Sequence, residues 1–478
     1  MMGSGKGAEG RAFPHGMEIL SSQAVDKIIK VLFQFLEETG IKFDKHEQPY
    51  DLLTKAGCSI SSDGMVKFPP GLVEECLGQC PKGYKWWNRP GTEFVEYGSG
   101  NTCFISACWA PNYIDPYTGE KKSGDQEGIA VLTKLSDALP EIDISGIPIA
   151  TGDFVADCAT IMANTTKPVL FSAGEDTDNL RAFIELGVAL RGGVEELKEK
   201  PYFGLHINPE LLHYPVSISE QIQLCTENNI PISIATMGIG GLSSPITMAG
   251  TLIMCLATTF PGIVLAQLFK KGHPCSETST PSFMDPATAG IRGIPENALT
   301  DMAKLEVCRK LGPLVGQLSA FGAITPEFNQ DYIAKMTWDF GELATCAFDS
   351  FLAIGGMDAG LVNSPHATVY ANELASMARR VWRGIPVDDE SCALDVIKSV
   401  GSGMYLTQTH TALHARKDLW RGKYIKNISV DAWEKDGKKD MAERIHEDLG
   451  KMLDAHEVEP LSEPLRKAVD GIVKKYKR

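Results

Sequence analysis

The sequence predicts an α/β fold, a (β/α)8 barrel of the TIM type with helical additions at both ends. From about residue 101 onward, short apolar runs rich in β-branched residues alternate with amphipathic helical patterns. Eight such units follow one another within about 285 residues, a length that suits a closed barrel better than an open sheet. The runs are continuously apolar, as parallel strands covered on both faces require. No G-x-G-x-x-G turn follows the first strand, which weakens a dinucleotide-binding reading. The expected organisation is a flexible tail at 1–16, a helical cap at 17–100, the barrel at 101–384 and a helical region at 385–478.

The tail, MMGSGKGAEGRAFPHG, is Gly-rich and lacks the apolar stretch of a signal peptide. In MEILSSQAVDKIIKVLFQFLEETGI, residues Val25, Ile28, Ile29, Leu32, Phe33 and Leu36 share one helical face. Ser21 or Ser22 suits the N-cap and Gly40 the stop. Shorter helices around 48–56 and 70–80 flank a turn at Ser62-Asp63-Gly64. The first four strands are expected in TCFISACWA, EIDISGIPIA, KPVLFSA and YFGLHI, and the last four in PISIATM, HPCSETS, PLVGQLS and FLAIGGM. Beyond Gly384 the chain turns polar and helical, with a strongly charged solvent face.

One segment needs separate treatment. From Asn228 to Phe269 there is no charged residue, and MAGTLIMCLATTFPGIVLAQLF at 248–269 is long enough to span a bilayer. It falls where the fifth crossover helix belongs, and Pro261-Gly262 interrupts it. Two packed, buried helices of about a dozen residues each are therefore expected, with no membrane span. A face this apolar also suits contact with another subunit, so a homo-oligomer is expected.

The formal net charge of -15 argues against a nucleic-acid partner, which needs a basic excess. With 43% hydrophobic and 22% charged residues the chain reads as a cytoplasmic globular protein. Its 12 cysteines, scattered through apolar stretches, read as reduced and buried. In a barrel the site lies at the C-terminal ends of the strands. The candidate binding residues there are Trp109 after strand 1, His206 and Asn208 at strand 4, Glu277 at strand 6, Phe321 after strand 7 and Asp358 after strand 8. His273-Pro-Cys275 and Cys76-Leu-Gly-Gln-Cys80 have ligand-like spacings, but no later cysteine at a strand end completes a zinc set, so no metal is expected.

The block GIGGLSSPITMAGTLIMCLATTFPGIVLAQLFKKGHP at 238–274 resembles the signature of the trimethylamine methyltransferase family. LEETGI…LLTKAGCSI…VKFPPGLVEECLGQCPK near the start, Asp115-Pro-Tyr-Thr-Gly119-Glu-Lys-Lys with Asp125, Tyr405-Leu406…His410-Thr411…Arg416 and Trp433-Glu-Lys-Asp-Gly are similar to its other blocks. There are departures. VYANEL has Ala371 where the family carries Asp, and keeps only Glu373. The trimethylamine enzymes carry pyrrolysine near the seventh strand, whereas this chain reads GQLSAFGAITPEFNQ there. It thus resembles the non-pyrrolysine branch, whose members demethylate glycine betaine, proline betaine or carnitine.

The resemblance implies transfer of a methyl group from a quaternary amine, glycine betaine as first choice, to the Co(I) corrinoid (cobalamin) of a separate corrinoid protein. No cofactor is expected on this chain. Its nearest match to the Asp-x-His-x-x-Gly cobalt-binding loop, Asp454-Ala-His456-Glu-Val-Glu459, lacks the glycine. Trp109 and Phe321 would face the ammonium through cation–π attraction, and His206 would donate to a carboxylate. Two rival readings are a non-catalytic betaine-binding relative and a zinc-dependent methyltransferase using His273 and Cys275.

Overall fold

The computed structural model describes residues 18–106, 108–287, 290–292, 294–316, 325, 327–346 and 351–477. The expected tail at 1–16 and Phe321 lie outside them. Eight strand–helix units follow in the expected order. They are β1 (Cys103–Ser106) with α1 (Gln126–Ala138), β2 (Ile144–Ser145) with α2 (Phe154–Ala163), and β3 (Val169–Phe171) with α3 (Thr177–Arg191). Next come β4 (Phe203–Ile207) with α4 (Val216–Glu227), β5 (Ile232–Ile234) with α5 (Met248–Phe269), and β6 (Cys275–Glu277) with α6 (Ile294–Leu311). The last are β7 (Leu314–Val315) with α7 (Gln330–Cys346) and β8 (Phe351–Ile354) with α8 (Pro365–Trp382). The strands form one parallel sheet in the order β8-β1-β2-β3-β4-β5-β6-β7, so the last strand returns to pair with the first. Among the described residues no ladder joins β7 to β8.

Register sorts the side chains. Leu205, Ile232 and Cys275 lie opposite one another, as do His206, Ser233 and Ser276. Ile232, Ile234, Phe104 and Phe203 pack outward into the large core beneath the helices. Cys103, Ile105, Ile144, Leu170 and Leu314 instead form a second, smaller cluster inside the sheet's curve, together with Trp86 and Tyr97.

The cap carries more strand than expected. The Ser22–Glu38 helix starts at Ser21, whose hydroxyl accepts from the Ala24 amide at 3.2 Å, and the chain turns away at Gly40 (φ +74°). Between the expected helices, Ile41–Phe43, Met65–Lys67 and Ser59–Ile60 pair into a small sheet that His213–Tyr214 extends. A hairpin of Gly83–Trp87 with Phe94–Gly98 supplies Trp86 and Tyr97 to the inner cluster. These strands run for two to five residues, too short for a periodicity argument.

The largest departure is α5, a single unbroken helix through Pro261 rather than two. Pro in a helix interior costs about 3 kcal/mol. Burial of Leu252, Leu256, Ile263 and Leu265 outweighs it at about 1.5–3 kcal/mol each. Neighbours also complete the polar groups. Tyr214 donates its hydroxyl to the Thr258 carbonyl at 2.7 Å, Thr258 Oγ1 donates to Met254 at 3.0 Å, and Gln267 Nε2 donates to the His273 carbonyl at 2.8 Å. The one described helix long and apolar enough to cross a membrane is thus mostly buried in the protein.

A Cβ on Gly262 would lie 2.4 Å from the Tyr214 hydroxyl oxygen. Gly262→Ala is therefore expected to destabilise the fold by about 1–3 kcal/mol. Tyr214→Phe in the same chain should recover part of the loss. Paired denaturant unfolding curves measure both, and additive losses would contradict this packing.

Candidate active site at the strand C-terminal ends

The inner face of the sheet changes character along the strands. At its floor the hairpin closes on Gly204, where a Cβ would sit 2.4 Å from the Trp86 ring; Leu170 lies opposite Gly204, and Cys103 and Ile105 line the same inner face. Towards the C-terminal ends the inward positions become His206, Ser233 and Ser276, with Trp109 and Thr278 just beyond the strands. None of these inward residues is charged.

Trp109 and His206, both expected from sequence, are brought together. Their rings stack with centroids 5.4 Å apart and planes at 28°. Trp109 sits at φ +52°, a left-handed conformation uncommon outside glycine. Its amide and that of Cys108 both donate to the Ile147 carbonyl, at 3.0 and 3.1 Å, which fixes the turn. The indole Nε1 is buried, with no hydrogen-bond partner among the described residues. His206 is buried, and loss of solvent lowers its pKa to about 4, so the ring is neutral at physiological pH. Its Nδ1 lies 3.3 Å from Ser233 Oγ, which lies 2.5 Å from Thr278 Oγ1. The chain runs in either direction: with Ser233 donating to Nδ1 the imidazole proton sits on Nε2, and with Nδ1 donating to Ser233 the proton sits on Nδ1. Ser233 is the residue that sequence reasoning missed, although strand alternation sets it on the same face as His206 once the register is known.

The remaining candidates do not join this pair. Glu277 is a correction. Alternation turns it outward between Ser276 and Thr278, into the layer between the sheet and α5–α6. There Thr259 Oγ1 (3.1 Å) and the Ser279 amide (2.9 Å) donate to its carboxylate, and Lys304 Nζ is 3.9 Å away. Burial raises its pKa, against the pull of Lys304. Lys304 also pairs with Asp301 at 3.2 Å. Asn208 is exposed beyond β4. Asp358, at φ +51°, turns the chain after β8, and its amide donates to the Thr325 carbonyl at 2.9 Å. Among the described residues no three potential metal ligands come together. Instead His273 is fully buried; loss of solvent, with Lys270 adding, lowers its pKa to about 3 against a contact with the Ile230 backbone. His456 accepts no open role either, since its Nε2 lies 2.8 Å from Asp137 on α1.

The Asp115–Asp125 block that carries part of the family resemblance shapes local structure. The Asp115 carboxylate takes the amides of Tyr117 and Thr118, both at 2.9 Å, and Lys122 Nζ at 2.6 Å, and so shapes its own turn. Asp125 caps α1 by accepting from the Gly128 amide at 2.7 Å.

An α/β sheet of sequential parallel strands, with an aromatic–imidazole pair at the strand C-terminal ends, defines the class as a barrel-like α/β protein. The family profile described as trimethylamine methyltransferase (MTTB) matches residues 10–478, and the chain belongs to that family of methyltransferases. It is 28% identical over 471 residues to the trimethylamine methyltransferase MttB of Desulfitobacterium hafniense, covering 96% of this chain and 94% of that one. It is 26% identical over 459 residues to the glycine betaine methyltransferase of the same species, covering 93% and 94%. The fold is similar to the crystal structure of the Methanosarcina barkeri monomethylamine methyltransferase MtmB, with a TM-score of 0.53 at 13% identity over 98% of this chain and 89% of that one.

Because burial disfavours the imidazolium, His206 should show no titration between pH 8 and 5 in nitrogen-detected NMR, and should protonate only near pH 4. A midpoint near 6.5 would place the ring in water. Glu277→Gln, in turn, is expected to lower the unfolding temperature while leaving ligand affinity unchanged, by calorimetry on the same preparation. A loss of affinity without a loss of stability would return Glu277 to the site.

Proposed function

We propose that this methyltransferase takes its methyl group from a quaternary amine with a carboxylate, glycine betaine first, and passes it to the corrinoid of a separate protein. The observation that carries the reading is the Trp109–His206 pair, an aromatic face beside a neutral imidazole, with the indole Nε1–H lacking a partner among the described residues. A betaine is itself neutral overall, which suits inward positions without charge. Trp109 attracts the ammonium end, and in the tautomer with Ser233 donating to Nδ1 the His206 Nε2–H donates to the carboxylate. The presence of a glycine betaine methyltransferase among the relatives supports the same choice.

When docked, the corrinoid supplies a Co(I) nucleophile for the methyl carbon. The C–N bond breaks with its electron pair going to nitrogen, and the tertiary amine departs with a neutral nitrogen and its carboxylate still charged. No proton moves, so this chain needs no general acid or base. Its residues hold the cation, align one methyl and exclude water. His456, tied to Asp137, does not fit a cobalt ligand, which supports a corrinoid carried elsewhere. We read β7 and β8 as closing the sheet into a complete barrel around this site, in a cytoplasmic enzyme.

The test is an incubation with a reduced corrinoid protein and a panel of quaternary and tertiary amines, followed by visible absorbance for methyl-Co(III). Betaines should react; reaction of trimethylamine alone would overturn the assignment. Trp109→Ala is expected to weaken betaine binding about 2- to 30-fold by titration calorimetry, corresponding to one cation–π contact of about 0.5–2 kcal/mol.

A further inference from the structure

The block that carries most of the family resemblance begins at Gly238, yet its opening residues take no part in the arrangement around His206. They lie in the connection from β5 to α5, residues 235–247. That connection differs from the others in charge. Each of the other seven strand–helix connections contains at least one carboxylate, among them Asp153, Glu175, Glu210, Asp285 and Asp358, whereas this one contains no charged residue. On a chain with a formal net charge of -15 it forms a neutral sector of the rim.

The connection starts beside the site. The Ser233 hydroxyl lies 3.3 Å from His206 Nδ1, and Met237 follows roughly 13 Å further along an extended chain. Backbone bonds continue the pairing of β5 with β6 beyond the strands. The amides of Thr278, Thr280 and Ser282 donate to the carbonyls of Ile234, Thr236 and Gly238 at 2.8, 2.9 and 2.9 Å. Ile239–Gly240 then pairs with Ser282–Met284, which pairs with Ile291–Arg292. The turn that follows is closed from within. Gly241, at φ +88°, donates its amide to the Ser244 carbonyl at 2.9 Å, and Ser243 Oγ accepts from the Ile239 amide at 2.9 Å. Thr251 Oγ1 donates to the Pro245 carbonyl at 2.6 Å.

This ordered ledge presents apolar side chains. Met237, Leu242 (69% exposed), Ile246 (53%) and Met248 are all exposed. A Cβ on Gly241 would lie 2.8 Å from Ile246 Cδ1 and 3.9 Å from Met284 Cε, so both side chains lie against Gly241, next to Leu242. An exposed apolar cluster within a charged rim marks a docking surface.

We propose that this ledge docks the corrinoid protein, with the ring-bearing face of that protein against Leu242 and Ile246. The inference rests on the methyl-transfer reading and adds the surface that the partner uses. Two observations select this occupant. The methyl acceptor has to enter at the strand C-terminal ends, and the ledge extends from that end beside His206. Its neutrality also matches, because a corrin ring is bordered by methyl groups and uncharged amides. A basic partner would be drawn instead to the carboxylates of the other connections.

The test uses the full chain and a corrinoid protein that accepts the methyl group from it, held as Co(III) so that binding is read without turnover. Leu242→Asp with Ile246→Asp should weaken that binding about 10-fold or more by biolayer interferometry. Glycine betaine affinity and the circular dichroism spectrum should stay those of the wild type. Leu242→Glu alone, at the most exposed position, should weaken binding in the same direction and serves if the pair disturbs the turn. Wild-type binding should hold between about 0.1 and 1 M salt, since neutral contacts are not screened. A steep fall with salt, or folded variants that bind the corrinoid protein as the wild type does, overturns the docking surface and leaves the methyl-transfer reading standing. A wild type that methylates no corrinoid from any amine overturns that reading, and the docking surface with it.

Discussion

Everything at the site depends on the in-register parallel pairing of β1 through β7, because pairing fixes which side chains face inward. A one-residue slip in a strand would exchange its two faces. In β4 to β6 the shared register puts His206, Ser233 and Ser276 on one side, and Leu205, Ile232 and Cys275 on the other. The same pairing creates an inner column that is apolar at the floor, where Trp86 and Tyr97 plug it, and polar at the mouth. A neutral histidine can exist there because the column is dry enough to disfavour its cation and still offers Ser233 as a partner.

Charge is handled on the other face. Glu277, Lys304 and Asp301 form a buried ionic cluster between the sheet and its helices, with Lys304 also donating to the Ser279 carbonyl. Burial works against the charge on Lys304, and Asp301 and Glu277 outweigh it, so its pKa is raised. Keeping these charges outside leaves the inward positions His206, Ser233 and Ser276 without a charged neighbour on their own strands' inner face among the described residues. The division also explains why a strand-end carboxylate is a poor guide to a site. Its position along the strand is right, but its face is wrong.

Much of the fold is legible in the residues themselves. Eight largely apolar runs separated by amphipathic stretches mark the eight units, since parallel strands covered on both faces carry few charged residues. Ser21 and Gly40 bracket the first helix as their capping chemistry requires. The short cap strands and the aromatic hairpin were not legible, because two to five residues hold no period. The unbroken α5 was misread because local backbone chemistry argues for a break at Pro261, and only the surrounding burial shows that packing overrides it.

Trp109 and His206 are candidates from sequence because each stands where a strand ends and carries chemistry suited to a cation or an anion. Their stacking, the neutrality of the imidazole and the part played by Ser233 cannot be read there, because each depends on which residues lie opposite across the sheet. The sequence by itself determined the order of elements, the family and the buried character of the 248–269 segment. Only the tertiary structure decided which face each side chain occupies, that Glu277 turns away from the mouth, and that the neutral connection at 235–247 is held as an exposed ledge. The reason is physical: local propensity and periodicity act along the chain, whereas register and burial are properties of residues far apart in it.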